Sequence, residues 1–253
     1  MIQRFGLALL LSIGLIPSAS AQAAPAVPTA QSSHPKPKLS PVFVDVNLVD
    51  FSLFLPAAPT QSSVISSSEL EQLHELERTR TPAQIALAQF DDVHEDMTIY
   101  SSILGPDFNP GALPSIVLLG SHVRNDASNI VPPLKALFSR PRPFDADPTL
   151  HPVCAINHDG SYPSGHTFAG YISAYMLIQM VPERKTEILA RADDYAHNRL
   201  VCGVHYPSDL EVSRRVAILY AGYLLDNPRF ERELAAATTE VRAQLHLVVL
   251  PTK

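Results

Sequence analysis

The chain contains no tryptophan and only two cysteines, and only 17% of its 253 residues are charged. Two cysteines exclude a disulfide-rich miniature scaffold, and with no Cys-x-x-Cys pair nothing points to structural zinc. A basic excess is missing as well. The chain has 19 Lys+Arg against 25 Asp+Glu, a formal charge of −6, which disfavours tracking of a phosphate backbone, so no nucleic-acid partner is expected. Sparse charge beside 46% hydrophobic residues excludes a disordered polyelectrolyte and is ample for one large core. Long apolar runs are also scarce. Beyond the N-terminus the best candidate is Tyr171 to Val181, well short of the roughly 20 residues that cross a bilayer, so it reads as core helix and no stable membrane insertion is expected.

What is present begins with an address. Arg4, the apolar stretch Leu7 to Ile16 and the small-residue box Ala19-Ser20-Ala21 read as a cleaved signal peptide over residues 1–21, placing the mature protein in the periplasm. Residues 22–60 follow as a Pro/Ala/Ser-rich leader, mostly mobile, with the more apolar Val42 to Leu55 expected to lie extended across the body. Residues 61–250 form the remaining domain. Export puts Cys154 and Cys202 in an oxidising compartment, where the two can bridge. Closing a loop of that length stabilises the fold by about 4 kcal/mol in the chain-entropy account.

The domain reads as all-α, a single helical bundle. Ser66-Ser67-Ser68 before Glu69 signals a helix start, and that helix runs toward Thr79. Thr81 and Pro82 open a second through Phe90, and His94 to Leu104 is a third candidate. Pro114 opens a fourth, which Pro132-Pro133 should interrupt or kink. Helices over Ser164–Val181, Glu183–Asn198, Ser208–Leu225 and Arg229–Leu245 complete the set. Only His246 to Leu250 hints at a strand.

Three clusters place charged or hydroxyl residues beside proline or glycine. In the first, Lys135-Ala-Leu-Phe-Ser-Arg140-Pro-Arg142-Pro143, Lys135 closes a helix and the prolines hold the chain extended, so Arg140 and Arg142 point in alternate directions. Taken alone this is equally well a solvated basic turn. The second is Gly160-Ser161-Tyr162-Pro163-Ser164-Gly165-His166-Thr167. Ser164 caps a helix there, Gly165 lets a ligand approach the backbone, and free amides at a helix N-terminus suit an anion. By itself it is more simply a helix cap with an exposed histidine. The third runs from Asn198-Arg199 to His205-Tyr-Pro-Ser-Asp209. A carboxylate at Asp209 can accept the imidazole Nδ1–H of His205 and leave Nε2 as nucleophile or base. A surface His–Asp pair or a metal site would use the same residues, although the cationic surroundings oppose a divalent ion. Together the clusters supply fixed positive charge, hydrogen-bond donors and two histidines, which is the inventory phosphoryl transfer needs.

The spacing Lys135-x6-Arg142-Pro143, Pro163-Ser164-Gly165-His166 and Arg199-x5-His205-x3-Asp209 resembles the three-part signature of the type 2 phosphatidic acid phosphatase superfamily. The strings GSYPSGHT, SRPRPF and VCGVHYPSD look most like its secreted members, the bacterial class A non-specific acid phosphatases, over residues 65–245. The resemblance implies that His205 attacks phosphorus and becomes a phosphohistidine, with Asp209 orienting it. His166 then protonates the leaving alcohol and afterwards activates water. Lys135, Arg142, Ser164, Gly165 and Arg199 hold the phosphoryl oxygens. It implies a helical bundle that often forms homo-oligomers and uses no metal or other cofactor. The implied activity is hydrolysis of many small phosphomonoesters, best at acid pH, with phosphate transfer to alcohols in some members. One departure stands out: the family usually has Ser where this chain has Asn198, which puts the fine phosphate geometry in question. Arg140 lies outside the strict signature and is expected no nearer than the rim.

Three rivals share these residues: a vanadate-dependent haloperoxidase, whose vanadate uses the same oxyanion pocket, a membrane lipid-phosphate phosphatase, and a periplasmic oxyanion-binding protein without turnover. Length and leader disfavour the first and the scarcity of apolar spans the second. An intact His205–Asp209 pair disfavours the third, since binding alone needs no nucleophile.

Overall fold

The computed structural model describes residues 40–45 and 48–248, all within one compact unit. The expected signal peptide over residues 1–21 and the expected leader up to residue 39 lie outside the described residues. Among the described residues nine α-helices carry the chain and no strand forms. They are α1 (Val64–Thr79), α2 (Pro82–Asp92), α3 (Ser101–Leu104), α4 (Pro114–Phe138), α5 (Pro143–Ala146), α6 (Gly165–Met180), α7 (Lys185–Val201), α8 (Pro207–Leu225) and α9 (Pro228–Gln244).

α6 is the axis of the bundle. Phe168, Tyr171, Ile172, Ala174, Met176, Leu177 and Met180 are all buried, so the helix is apolar on nearly every side, as a central helix must be. It packs mainly on α7 and α8, and also on α9 and α4. The α6–α7 contact is close because Gly170 has no side chain. A Cβ there would sit 2.6 Å from Tyr195 Cδ1, and that ring is pinned by its hydroxyl, which donates to the His94 carbonyl at 2.7 Å. Gly170→Ala gains at most about 1 kcal/mol of helix propensity and loses about 1–3 kcal/mol to overpacking. Thermal unfolding should therefore show a lower midpoint, and a raised one would contradict this packing.

Val42–Val44 are tied to the body by one buried carboxylate. Asp126 of α4 accepts the amides of Val42, Phe43 and Val44 at 2.5, 3.1 and 3.0 Å, and the Tyr220 hydroxyl at 2.9 Å. Phe43, Val44 and Phe51 are buried against the core. Cys154 and Cys202 form a disulfide that closes a separation of 48 residues, beside a small apolar cluster of Ala88, Val201 and Val204.

Several boundaries differ from expectation. α1 starts at Val64, upstream of the Ser66-Ser67-Ser68 signal, because Ser63 accepts the capping amide, that of Ser66. Thr81 caps α2 as expected, reinforced by Gln84, whose side chain reaches back to the Thr81 amide. The third candidate helix is only two short pieces, a 3-10 turn at Met97–Tyr100 followed by α3. Pro132-Pro133 does not interrupt α4. Both prolines are exposed, and so is Ser128, whose carbonyl loses its amide partner at Pro132 and can turn to water. Residues 246–248 form no strand, and 249–250 lie outside the described residues.

Candidate active site

The three clusters meet at one end of α6. Gly160 lets the second press against the first. A Cβ on Gly160 would lie 2.8 Å from the Lys135 carbonyl oxygen, and the Ser161 amide donates to the Arg140 carbonyl at 2.8 Å. The second joins the third through Ser213. Its hydroxyl accepts the Ser164 amide at 2.7 Å and donates to the Asp209 carbonyl at 2.5 Å. Arg142 joins the first to the third by donating to the Val204 carbonyl at 2.8 Å.

His205 is the buried centre, 1% exposed. Its Nδ1 lies 3.2 Å from Asp209 Oδ2, and its Nε2 lies 2.9 Å from Arg142 Nη1. A guanidinium only donates. Nε2 is therefore the acceptor, and the single ring proton sits on Nδ1 toward the carboxylate. Burial first, then the charges of Arg142, Lys135, Arg199 and His166, push the imidazole well below the usual histidine range. Asp209 is fully buried and accepts from Ser161 Oγ, the Tyr206 amide (2.8 Å) and Arg140 Nη1 (2.8 Å). Burial still pushes its carboxyl up to about 6.

Cations surround the imidazole. Lys135, in the last turn of α4, is half-buried. Burial and the neighbouring Arg142 lower its ammonium to about 8. Arg142 is fixed by Asp159 O, Asn157 Oδ1 and Val204 O at 3.0, 2.7 and 2.8 Å, and its burial lowers it to about 10. Arg199 pairs with Asp92 at 2.6 Å, yet its buried Nε–H has no partner. An unpaired buried donor costs about 1–3 kcal/mol, and an anionic ligand would remove that cost.

At the start of α6, Ser164 caps the helix by accepting the Thr167 amide, which leaves the Gly165 and His166 amides at the first two helical positions for an anion. A Cβ on Gly165 would make only an ordinary contact, 3.8 Å from Val131 Cγ1, so helix packing does not itself require glycine there. His166 Nε2 lies 3.0 Å from the Asp92 carbonyl and 2.9 Å from Glu95 Oε1. A carbonyl only accepts, so this nitrogen carries the proton.

Two expectations change. Arg140 is no rim residue. It is 4% exposed and reaches Asp209, Glu69, Ser66 and Ser208, because the alternation set by Pro141 sends it behind the imidazole while Arg142 goes in front. Asn198 does not reach toward the imidazole. Its amide donates to Asp91 Oδ2 at 2.7 Å, in a buried group with Arg191, so the departure at this position serves the α2–α7 contact. Asp92, Glu95, Ser161, Asn157 and Glu69 also line the candidate site. Ser161 belongs to the Gly160–Thr167 motif, whereas the others carry no local sequence signal. Asp92 also lies close to both cysteine sulfurs, in a group a metal could use, but the disulfide and the Ala155 amide on Asp92 Oδ2 occupy those donors.

Residues 115–231, which contain all three clusters, match the family described as the PAP2 superfamily. The chain is 39% identical over 85 residues to a non-specific acid phosphatase of Providencia stuartii, covering 34% of each protein. It is 29% identical over 157 residues to one of Salmonella typhi, covering 59% of this chain and 62% of that protein. An acid phosphatase of Zymomonas mobilis is 27% identical over 199 residues, 75% of this chain and 74% of its own. The chain thus spans about a third and three-fifths of the length of the first two relatives. Among the described residues no helix is long and apolar enough to cross a membrane.

Proposed function

We propose that this chain, whose residues 115–231 match the PAP2 superfamily, is an acid phosphatase hydrolysing a broad range of small phosphomonoesters through a phosphohistidine at His205, without a metal. The observation that carries the reading is the His205 ring itself, with its proton on Nδ1 facing Asp209 and its Nε2 lone pair held among Arg142, Lys135 and Arg199. Its depressed basicity supports work at acid pH. An ordinary histidine is largely protonated at pH 5 and has no lone pair to offer, whereas the lowered basicity of this one favours the neutral ring further into the acid range.

In the proposed first step the Nε2 lone pair attacks phosphorus in line, displacing its hydrogen bond from Arg142. The P–N bond forms as the P–O bond to the alcohol breaks, and His166, acting as the imidazolium, passes a proton to the leaving oxygen and becomes the neutral ring. Lys135, Arg142, Arg199, the Ser164 hydroxyl and the Gly165 amide hold the three equatorial oxygens. Asp209 stabilises the positive ring through Nδ1–H. In the second step His166 takes a proton from water, the hydroxyl adds to phosphorus, and the P–N electrons return to His205. An alcohol in place of that water would give phosphotransfer.

His166→Ala should cut hydrolysis of alkyl phosphates about 10²–10⁴-fold but p-nitrophenyl phosphate much less, because a nitrophenolate leaves without a proton. Equal losses on both substrates would count against the acid role. The reading as a whole is tested by assaying p-nitrophenyl phosphate with EDTA, and bromide oxidation with peroxide and vanadate. EDTA-resistant hydrolysis without bromination supports it, and bromination without hydrolysis would transfer the site to haloperoxidase chemistry. Export through residues 1–21 to the periplasm belongs to the same proposal and is supported by the Cys154–Cys202 bridge, since disulfides persist in oxidising compartments. Assembly as a homo-oligomer is part of it too.

A further inference from the structure

Arg140 makes an unusually complete set of buried contacts for a residue outside the three-part signature. Nη1 donates to Asp209 Oδ1 at 2.8 Å and Ser208 Oγ at 2.7 Å, and Nη2 to Glu69 Oε2 at 2.7 Å and Ser66 Oγ at 3.2 Å. The guanidinium carbon lies 3.8 Å above the Tyr206 ring. Glu69, on α1, is fixed in turn by the Ser208 amide, which donates to Oε1 at 2.6 Å. We propose that Arg140 is a positioning residue for phosphoryl transfer, holding the Asp209 carboxylate ionised and aimed at His205 Nδ1, with Glu69 anchoring the guanidinium from behind. This rests on the phosphohistidine reading of the same site.

Asp209 is buried among donors on every side. Its Oδ2 is committed to Ser161, the Tyr206 amide and His205, and its Oδ1 meets Arg140, the one Lys or Arg side chain paired with this carboxylate among the described residues. The other charged or titratable groups facing it are Lys135 on α4, Arg142 on the segment before α5, Tyr162 on the turn before α6, and His205 and Tyr206 just before α8. Glu69 acts through Arg140. Burial works against ionisation and already pushes the carboxyl up to about 6. Without an adjacent cation a buried carboxyl takes up its proton at still higher pH. A protonated Asp209 no longer balances the charge that His205 acquires on phosphorylation. Arg140 therefore extends turnover toward acid pH, and the bidentate fork with two carboxylates fixes the direction as well as the charge.

The test is the pH dependence of kcat for p-nitrophenyl phosphate from pH 4 to 9 in wild type, Arg140→Met, Arg140→Lys and Glu69→Gln, with circular dichroism and thermal unfolding as checks of folding. In Arg140→Met the acid-side midpoint should rise by at least one pH unit, so that activity falls at least tenfold more at pH 5 than at pH 8. Arg140→Lys, which keeps the charge, should recover half or more of that shift. Glu69→Gln removes the negative charge competing for the guanidinium and should move the midpoint the other way. It carries the test alone should Arg140→Met fail to fold. A purely structural role would lower kcat equally at every pH with the midpoint unmoved, and that result overturns the proposal. The ¹⁵N shift of His205 Nδ1 across the same range reads the Asp209–His205 pair without turnover and should show the same displacement. An unmoved midpoint there also overturns it. Loss of the phosphatase reading would instead appear as a wild-type protein that hydrolyses nothing.

Discussion

His205→Ala should lower kcat for p-nitrophenyl phosphate by about 10⁴-fold or more, the scale seen when a covalent nucleophile is removed from an otherwise intact site. The fold should survive. Asp209 keeps Arg140, Ser161 and the Tyr206 amide, and Lys135, Arg142 and Arg199 remain to bind phosphate. Orthophosphate inhibition should therefore persist within about tenfold while turnover disappears, because ground-state binding and the attacking lone pair are separable. Steady-state kinetics with an inhibition constant and an unfolding curve for the same preparation give both numbers. Comparable turnover in the variant would remove His205 as the nucleophile, and lost phosphate affinity with an unchanged unfolding curve would mean the ring mainly binds.

The second large effect concerns the disulfide. Replacing Cys154 and Cys202 together by alanine should lower stability by about 4 kcal/mol, the chain-entropy value for a closed loop of this length, and the unfolding midpoint by about 8–16 °C. The consequence should reach the site. The Arg199 guanidinium lies 3.7 Å from Cys202 Sγ and pairs with Asp92, and Asp92 is held by the Ala155 amide next to Cys154. Activity should accordingly fall upon reduction with dithiothreitol well below the unfolding midpoint. A reduced enzyme with full stability and full activity would sever the bridge from both roles.

The sequence exposes what is encoded locally. Pro114, Pro82 and Ser164 announce helix starts because a fixed φ or a capping hydroxyl acts within one turn. His205 and Asp209 reveal their pairing because four residues across a helix start bring them to one side. The cysteines pair as expected once export is inferred. What depends on packing was not legible. Glu69, Asp92 and Glu95 sit on segments with no motif and reach the site only because α1, α2 and the turn after α2 fold over it. Arg140 looked like a rim residue because alternation gives direction but not what lies in that direction. The expectation of a break at Pro132-Pro133 applied an intrinsic penalty, and α4 overrides it with a long buried face running from Ile116 to Leu134. Ser66-Ser67-Ser68 signals a helix start, but the Ser66 hydroxyl is buried against Arg140, and Ser63 caps α1 instead.

In the proposed mechanism Lys135, Arg142, Arg199 and the start of α6 form one cationic cup around a tetrahedral oxyanion, with His205 Nε2 in line for attack. A crystal structure with orthovanadate reads this geometry. It should show a five-coordinate vanadium bonded axially to His205 Nε2, with its equatorial oxygens on Lys135, Arg142, Arg199 and the Gly165 amide and His166 facing the opposite axial oxygen. Vanadate bound elsewhere, or held in the cup with Nε2 still on Arg142 and out of bonding reach, would contradict it.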